Sequence, residues 1–94
     1  MSGTLGSTVQ LPCHHDDMIQ PFISWQKDGI LMSGGGRYRF GSDGSLVIYN
    51  VSEADSGSYQ CTANNGRERR TVRTRFDVLQ LDQESDLLDY NIQD

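Results

Sequence analysis

Between residues 9 and 78 the apolar side chains recur at every second position in short stretches, and turn-forming residues separate those stretches. No three-to-four periodicity is sustained before residue 80, so the chain reads as all-β. Val9, Leu11 and Cys13 alternate along the first stretch. Phe22, Ile23 and Trp25 lead a second, which ends at the turn Lys27-Asp28-Gly29. Residues 33–36 form a glycine-rich loop, residues 37–40 a short strand, and residues 41–44 the next turn. Leu46, Ile48 and Val51 are the inward positions of the strand after that turn, and Tyr59, Cys61 and Ala63 those of another. Asn64-Asn65-Gly66 signals a hairpin. Its returning strand sets Val72, Thr74, Phe76 and Val78 on one face and Arg73, Arg75 and Asp77 on the other. Six or seven strands with one-sided apolar faces call for two sheets packed face to face.

A chain of 94 residues has room for one domain core and its tails. Its two cysteines, Cys13 and Cys61, show no CxxC spacing and no neighbouring Cys/His cluster, which argues against a zinc site. Two readings are left. One is a single long-range disulfide, worth about 4 kcal/mol on the chain-entropy estimate for a loop of roughly fifty residues and suited to an oxidising compartment. The other is a pair of buried free thiols in a cytosolic module. The formal charge of -5 belongs to one end of the chain: Asp82, Glu84, Asp86, Asp89 and Asp94 stand there without a Lys or Arg, and residues 1–81 balance at eight acidic against eight basic residues. This division implies a domain over residues 1–81 and an acidic linker or tail over residues 82–94, mostly disordered, in which Leu87, Leu88, Tyr90 and Ile92 are the apolar residues. No apolar run approaches the roughly eighteen residues of a membrane span, and the first residues lack the features of a signal peptide. Membrane contact is therefore expected only through segments outside this sequence.

Cys13, Trp25 and Cys61 stand in the order and spacing of a sandwich in which one disulfide joins the sheets and an indole packs against it. Tyr59, two residues before the second cysteine, occupies the position of a tyrosine corner, where the phenol clamps backbone and does no acid-base work. With these residues the chain resembles the immunoglobulin superfamily, and residues 46–61, from Leu46 through Asp55, Tyr59 and Cys61, closely resemble the I-set signature. The resemblance covers residues 5–79. It implies an all-β, immunoglobulin-like, antiparallel Greek-key sandwich of two sheets, with a Cys13–Cys61 disulfide and a core around Trp25, Tyr59, Leu46 and Ile48. Gly6 resembles the glycine before strand B and residues 25–29 the strand C motif. Asp55 resembles the aspartate that pairs with an arginine at the start of strand D, here Arg37, with Arg39 in reserve. About 36 residues separate Trp25 from Cys61, too few for the extra strands of a variable-type domain, which favours the I-set. Only five residues precede Gly6, so a truncated strand A is expected.

Arg67, Arg69, Arg70, Arg73 and Arg75 place five of the eight basic residues within nine positions of one hairpin. Such a ridge suits heparan sulfate or an acidic protein partner, because guanidinium groups bind sulfate and phosphate oxygens in planar two-point fashion. The competing reading is a solvated edge that resists aggregation, or one neutralised by the acidic tail. No aromatic residues interleave with the arginines to stack bases, so nucleic acid is not expected as a partner. His14-His15-Asp16-Asp17 offers ligand types for a metal, but neighbours in a strand point apart, and a loop that touches a partner fits the segment better. Asn50-Val51-Ser52 is an N-glycosylation sequon out of phase with Leu46 and Ile48. Adjacent histidines, serines in turns and scattered carboxylates make neither a nucleophile elbow nor a phosphate loop, so no catalytic residue, cofactor or metal is expected.

Taken with the resemblance, these residues lead to a non-enzymatic binding or spacer module of an extracellular receptor, guidance or matrix protein. Two alternatives stand beside it: an intracellular structural module of muscle or cytoskeletal type, and the immunoglobulin domain of a semaphorin-like ligand. The acidic segment after residue 81 suits a last domain before a stalk.

Overall fold

A computed structural model describes residues 1–15 and 17–79. It contains eight strands in chain order: β1 (Ser2–Thr4), β2 (Val9–Leu11), β3 (Phe22–Lys27), β4 (Ile30–Leu31), β5 (Tyr38–Phe40), β6 (Leu46–Ile48), β7 (Gly57–Asn64) and β8 (Arg69–Leu79). A single 3₁₀ turn, Glu53–Asp55, precedes β7. The strands form a five-stranded sheet, β1-β8-β7-β3-β4, and a three-stranded sheet, β2-β6-β5. The chain changes sheet between β1 and β2, β2 and β3, β4 and β5, and β6 and β7, as a Greek-key sandwich requires. The expectations for Asp16 and for residues 82–94 lie outside the described residues.

Every pairing is antiparallel except that of β1 with β8, where Ser2 stands against Asp77 and Thr4 against Leu79. The short first strand thus survives, on the five-stranded sheet. The chain leaves it through a turn at Gly6, whose φ of 85° is open to glycine at no steric cost, and whose N–H donates to the Val51 carbonyl at 2.7 Å. The two-residue β4 is too short to carry a periodic signal, and alternation alone predicts no strand there.

Leu11, Trp25, Leu46, Ile48, Val51, Tyr59, Cys61 and Phe76 are buried almost completely between the sheets. The disulfide between Cys13, just beyond β2, and Cys61 in β7 crosses this core with a Cα–Cα distance of 6.0 Å. Trp25 stands opposite Cys61 in the β3–β7 register and donates its indole N–H to the Gly44 carbonyl at 2.9 Å. Tyr59 meets Phe76 edge to face, with ring centroids 6.3 Å apart, and its hydroxyl donates to the Asp55 carbonyl at 2.6 Å.

Asp55 is a fully buried carboxylate with its charge accounted for. Arg37 donates through Nη1 to Oδ2 at 2.8 Å and through Nη2 to Oδ1 at 3.2 Å, the Ser52 N–H donates to Oδ2 at 2.8 Å, and the Tyr38 hydroxyl donates to Oδ1. Arg37 also reaches the carbonyls of Tyr49 and Asn50. One carboxylate therefore ties the start of β5, the end of β6 and the turn before β7 together. Burial alone would push its pKa up, but the hydrogen bonds from Arg37, Ser52 and Tyr38 outweigh burial and hold it at about 2, below its ordinary 3.8.

Because folding favours the ionised carboxylate, its contribution of about 2 kcal/mol is complete above pH 4 and is lost as the pH falls towards 2. Unfolding free energies from urea titrations should drop across that window in the parent chain. For Asp55→Asn they should start about 3 kcal/mol lower, because Arg37 loses its counter-charge, and should change far less across the same window. Replacing both Cys13 and Cys61 by Ala should cost about 4 kcal/mol in the same measurement at pH 7.

Candidate partner-binding surface

Strand parity decides what the five-stranded sheet shows to solvent. In β7 the odd residues from Gly57 to Ala63 are buried, so Ser58, Gln60, Thr62 and Asn64 face outward. Their cross-strand partners on β8 are Arg75, Arg73, Thr71 and Arg69. On β3, Gln26, Ser24 and Phe22 stand opposite Gln60, Thr62 and Asn64, and Leu31 of β4 stands opposite Gln26. The result is a face of amides and hydroxyls with arginines along β8, an exposed Leu31 at the opposite edge and an exposed Phe22 at one corner.

The five arginines of the hairpin do not form one ridge. Arg69, Arg73 and Arg75 share the outward face. Arg67 is in the turn, and Arg70 has the parity of the inward-facing Val72, Thr74 and Phe76. Arg70 instead bridges two carboxylates, donating to both oxygens of Asp17 and to Glu68 at 3.1 Å. The Arg70 bonds hold the Asp17 carboxyl below its usual range, and Asp17 and Glu68 together raise the guanidinium pKa. Of the outward three, Arg73 donates Nε to Gln60 Oε1 at 2.9 Å, and Arg75 donates Nε to Asp77 at 3.0 Å. Arg69 and Arg67 have no carboxylate partner among the described residues. A simple charge count misses this division, because it ignores the alternation that sends Arg70 to the other side.

The histidine segment is dispersed. His15 Nε2 lies 2.7 Å from the Asp43 carbonyl oxygen, Asp17 is taken by Arg70, and the described residues contain no cluster of three metal-binding side chains. Asn50 is exposed just after β6 with φ of 53°, a conformation Asn tolerates better than most residues. The Ser52 of its sequon sits at the start of the 3₁₀ turn against Asp55. Arg39 is exposed and does not reach Asp55.

Exposed apolar groups are harder to read from sequence. Ile30 and Leu31 are 72% and 67% exposed, and with Lys27, Met32 and Tyr38 they border an open hollow of about 380 Å³ at the β4 edge. Phe22 is 78% exposed, although its place at the head of an apolar stretch groups it with inward residues. The available signal was parity: with Trp25 and Ile23 facing the core, Phe22 must face outward.

Comparison with known proteins agrees with this geometry. The family model of the immunoglobulin I-set domain matches residues 1–78. Mouse (Mus musculus) hemicentin-2 is 43% identical over 70 residues, which are 71% of this chain and 1% of that protein. The mouse peroxidasin homolog is 38% identical over 65 residues, 69% of this chain and 4% of that protein, so the similarity carries nothing about catalysis. Among solved structures, extracellular domains 3–5 of Drosophila OTK superpose with a TM-score of 0.72 at 30% identity, covering 84% of this chain and 28% of that one. The chain thus spans only a small part of the curated relatives it matches. With the family model covering most of its length and the sandwich, disulfide and buried tryptophan in place, the chain belongs to the immunoglobulin I-set family.

Proposed function

We propose that the chain is a non-enzymatic, extracellular protein-binding module that presents the outer face of its five-stranded sheet to an acidic protein partner. The observation that carries this reading is the outward row Arg69, Arg73 and Arg75, set beside Gln60, Gln26 and Leu31 on one face of the five-stranded sheet. Amides and hydroxyls supply directional hydrogen bonds, guanidinium groups pair with carboxylates, and Leu31 adds apolar contact at the rim. The buried disulfide and the similarity to extracellular domains of OTK support a location outside the cell over an intracellular spacer. Residues 1–81 form the module in this reading and residues 82–94 serve as its acidic linker or tail. The OTK and hemicentin-2 similarities do not single out a semaphorin-like ligand.

Asn50 belongs to the same picture. It stands just after β6 of the three-stranded sheet, off the five-stranded sheet that carries the arginine row, so a glycan there leaves that row open. Heparan sulfate is the second reading, favoured by three guanidinium groups along roughly 20 Å of one strand.

Chain secreted from a eukaryotic host should contain no free thiol, and Asn50→Gln should lower its intact mass by one glycan. On decellularised fibroblast matrix at physiological salt, Arg73→Glu with Arg75→Glu should reduce retention about tenfold while the melting temperature stays within about 2 °C. Heparinase treatment of the matrix should leave retention of the parent unchanged. Loss of retention after heparinase would move the partner to the sulfated polysaccharide, and equal retention of parent and variant would sink both readings of the arginine face.

A further inference from the structure

The end of the sandwich formed by the loop between β2 and β3 and by the β7–β8 hairpin carries a second surface of different chemistry. Ile19 and Phe22 are 75% and 78% exposed, the two most exposed large apolar side chains described. Beside Ile19 lies a hollow of about 420 Å³, lined also by Gln20, Asn65 and Arg67. Phe22 pairs in register with Asn64, and Asn64 with Arg69, so ring and guanidinium are carried by strands on either side of β7 at the same level of the sheet. Two apolar groups and two guanidinium groups without carboxylate partners among the described residues therefore share one corner.

This corner is held in place from both sides. Arg70 joins Asp17 of the first loop to Glu68 of the hairpin. Met18 anchors the loop by burying its side chain, and its N–H donates to the His15 carbonyl at 2.9 Å. The Asn65 side-chain oxygen accepts the N–H groups of Arg67 and Glu68, each at 2.9 Å, which fixes the hairpin tip. Gln20 has φ of 45°, a left-handed backbone that a non-glycine residue adopts at a cost and that persists where surrounding contacts impose it. A surface ordered before any partner arrives loses little further entropy on binding.

We propose that this corner docks a protein segment in which carboxylates flank aliphatic or aromatic side chains, one entering the hollow against Ile19 and another covering Phe22, with the carboxylates pairing with Arg67 and Arg69. The charge of the corner selects the carboxylates. A sulfated polysaccharide would satisfy the guanidinium groups but leave both apolar side chains in water, whereas a purely apolar segment would leave two cations uncompensated. The inference rests on the reading of the chain as a protein-binding module and shares only Arg69 with the sheet face, so Arg73 and Arg75 variants test that face without touching this corner.

The probe is a synthetic seven-residue peptide alternating Asp or Glu with Leu and Tyr, added to the isotope-labelled 94-residue chain. Amide signals of Ile19, Gln20, Phe22 and residues 64–69 should shift, those around Arg73 and Arg75 should not, and affinity should fall with added salt. Ile19→Ser with Phe22→Ser, and separately Arg67→Glu with Arg69→Glu, should each weaken binding about tenfold or more at unchanged melting temperature. If a double variant melts lower, Phe22→Ser and Arg67→Ala alone carry the same comparison. A control peptide with Ser in place of Leu and Tyr should bind about tenfold more weakly than the probe. The proposal falls if no shifts occur at millimolar peptide, if the shifts centre on Arg73 and Arg75, or if the serine control binds equally well. It falls also if the peptide binds only after Asp82, Asp86 and Asp89 are changed to Asn and Glu84 to Gln, which would make this chain's own acidic segment the occupant.

Discussion

The bond between Cys13 and Cys61 is the contact on which the other elements depend. The three-stranded sheet has strands of only three residues each, too short to hold register through backbone hydrogen bonds alone. The disulfide ties the end of β2 to the middle of β7, and Trp25, opposite Cys61 in register, fills the space around it. The indole N–H then fixes the carbonyl of Gly44, which leads directly into Leu46 and Ile48 of β6. One covalent link therefore sets a tryptophan, the tryptophan sets a turn, and the turn delivers the next core strand. Asp55 performs the corresponding task at the other end of β6, where its carboxylate gathers Arg37, Tyr38 and Ser52 and its carbonyl receives Tyr59. The disulfide supplies restraint without direction, and the carboxylate supplies directed bonds that depend on its ionisation.

Much of this order is legible in the residues because it rests on local rules. Alternation identifies the inward faces of β6, β7 and β8, since a strand has only two sides. Cys13, Trp25, Tyr59 and Cys61 mark the sandwich because a disulfide, an indole and a corner phenol solve one packing problem together. The features that escape such rules depend on pairings between distant residues or on elements too short to repeat. No local pattern announces that Ser2–Thr4 lies parallel to β8, or that Asp17 meets Arg70 across 53 positions. Ile30 and Leu31 give two residues, which carry no period. The arginine cluster is visible as charge, but its division between two sides of a strand comes from parity, which must be counted from the buried residues outward.

The same parity gives the molecule two kinds of exposed chemistry. The centre of the five-stranded sheet offers amides, hydroxyls and guanidinium groups in rows one strand apart, a surface of short-range hydrogen bonding. The loop end offers large apolar groups beside two guanidinium groups with no carboxylate partner among the described residues. These surfaces meet at the row Phe22, Asn64 and Arg69, so that Arg69 belongs to both. Side chains that carry neither surface, such as Arg70 and Asp17, are spent on holding the loops that shape them.

The parallel pairing of β1 with β8 also determines how the domain answers a mechanical load. When Met1 and Leu79 are drawn in opposite directions, the two strands slide along each other, and the contacts from Ser2–Asp77 to Thr4–Leu79 resist together. An antiparallel pair loaded at adjacent ends would open like a zipper, one hydrogen bond at a time. Should that ladder yield, the Cys13–Cys61 bond still withholds the chain between them from extension, so the protein can lengthen only through its outer portions.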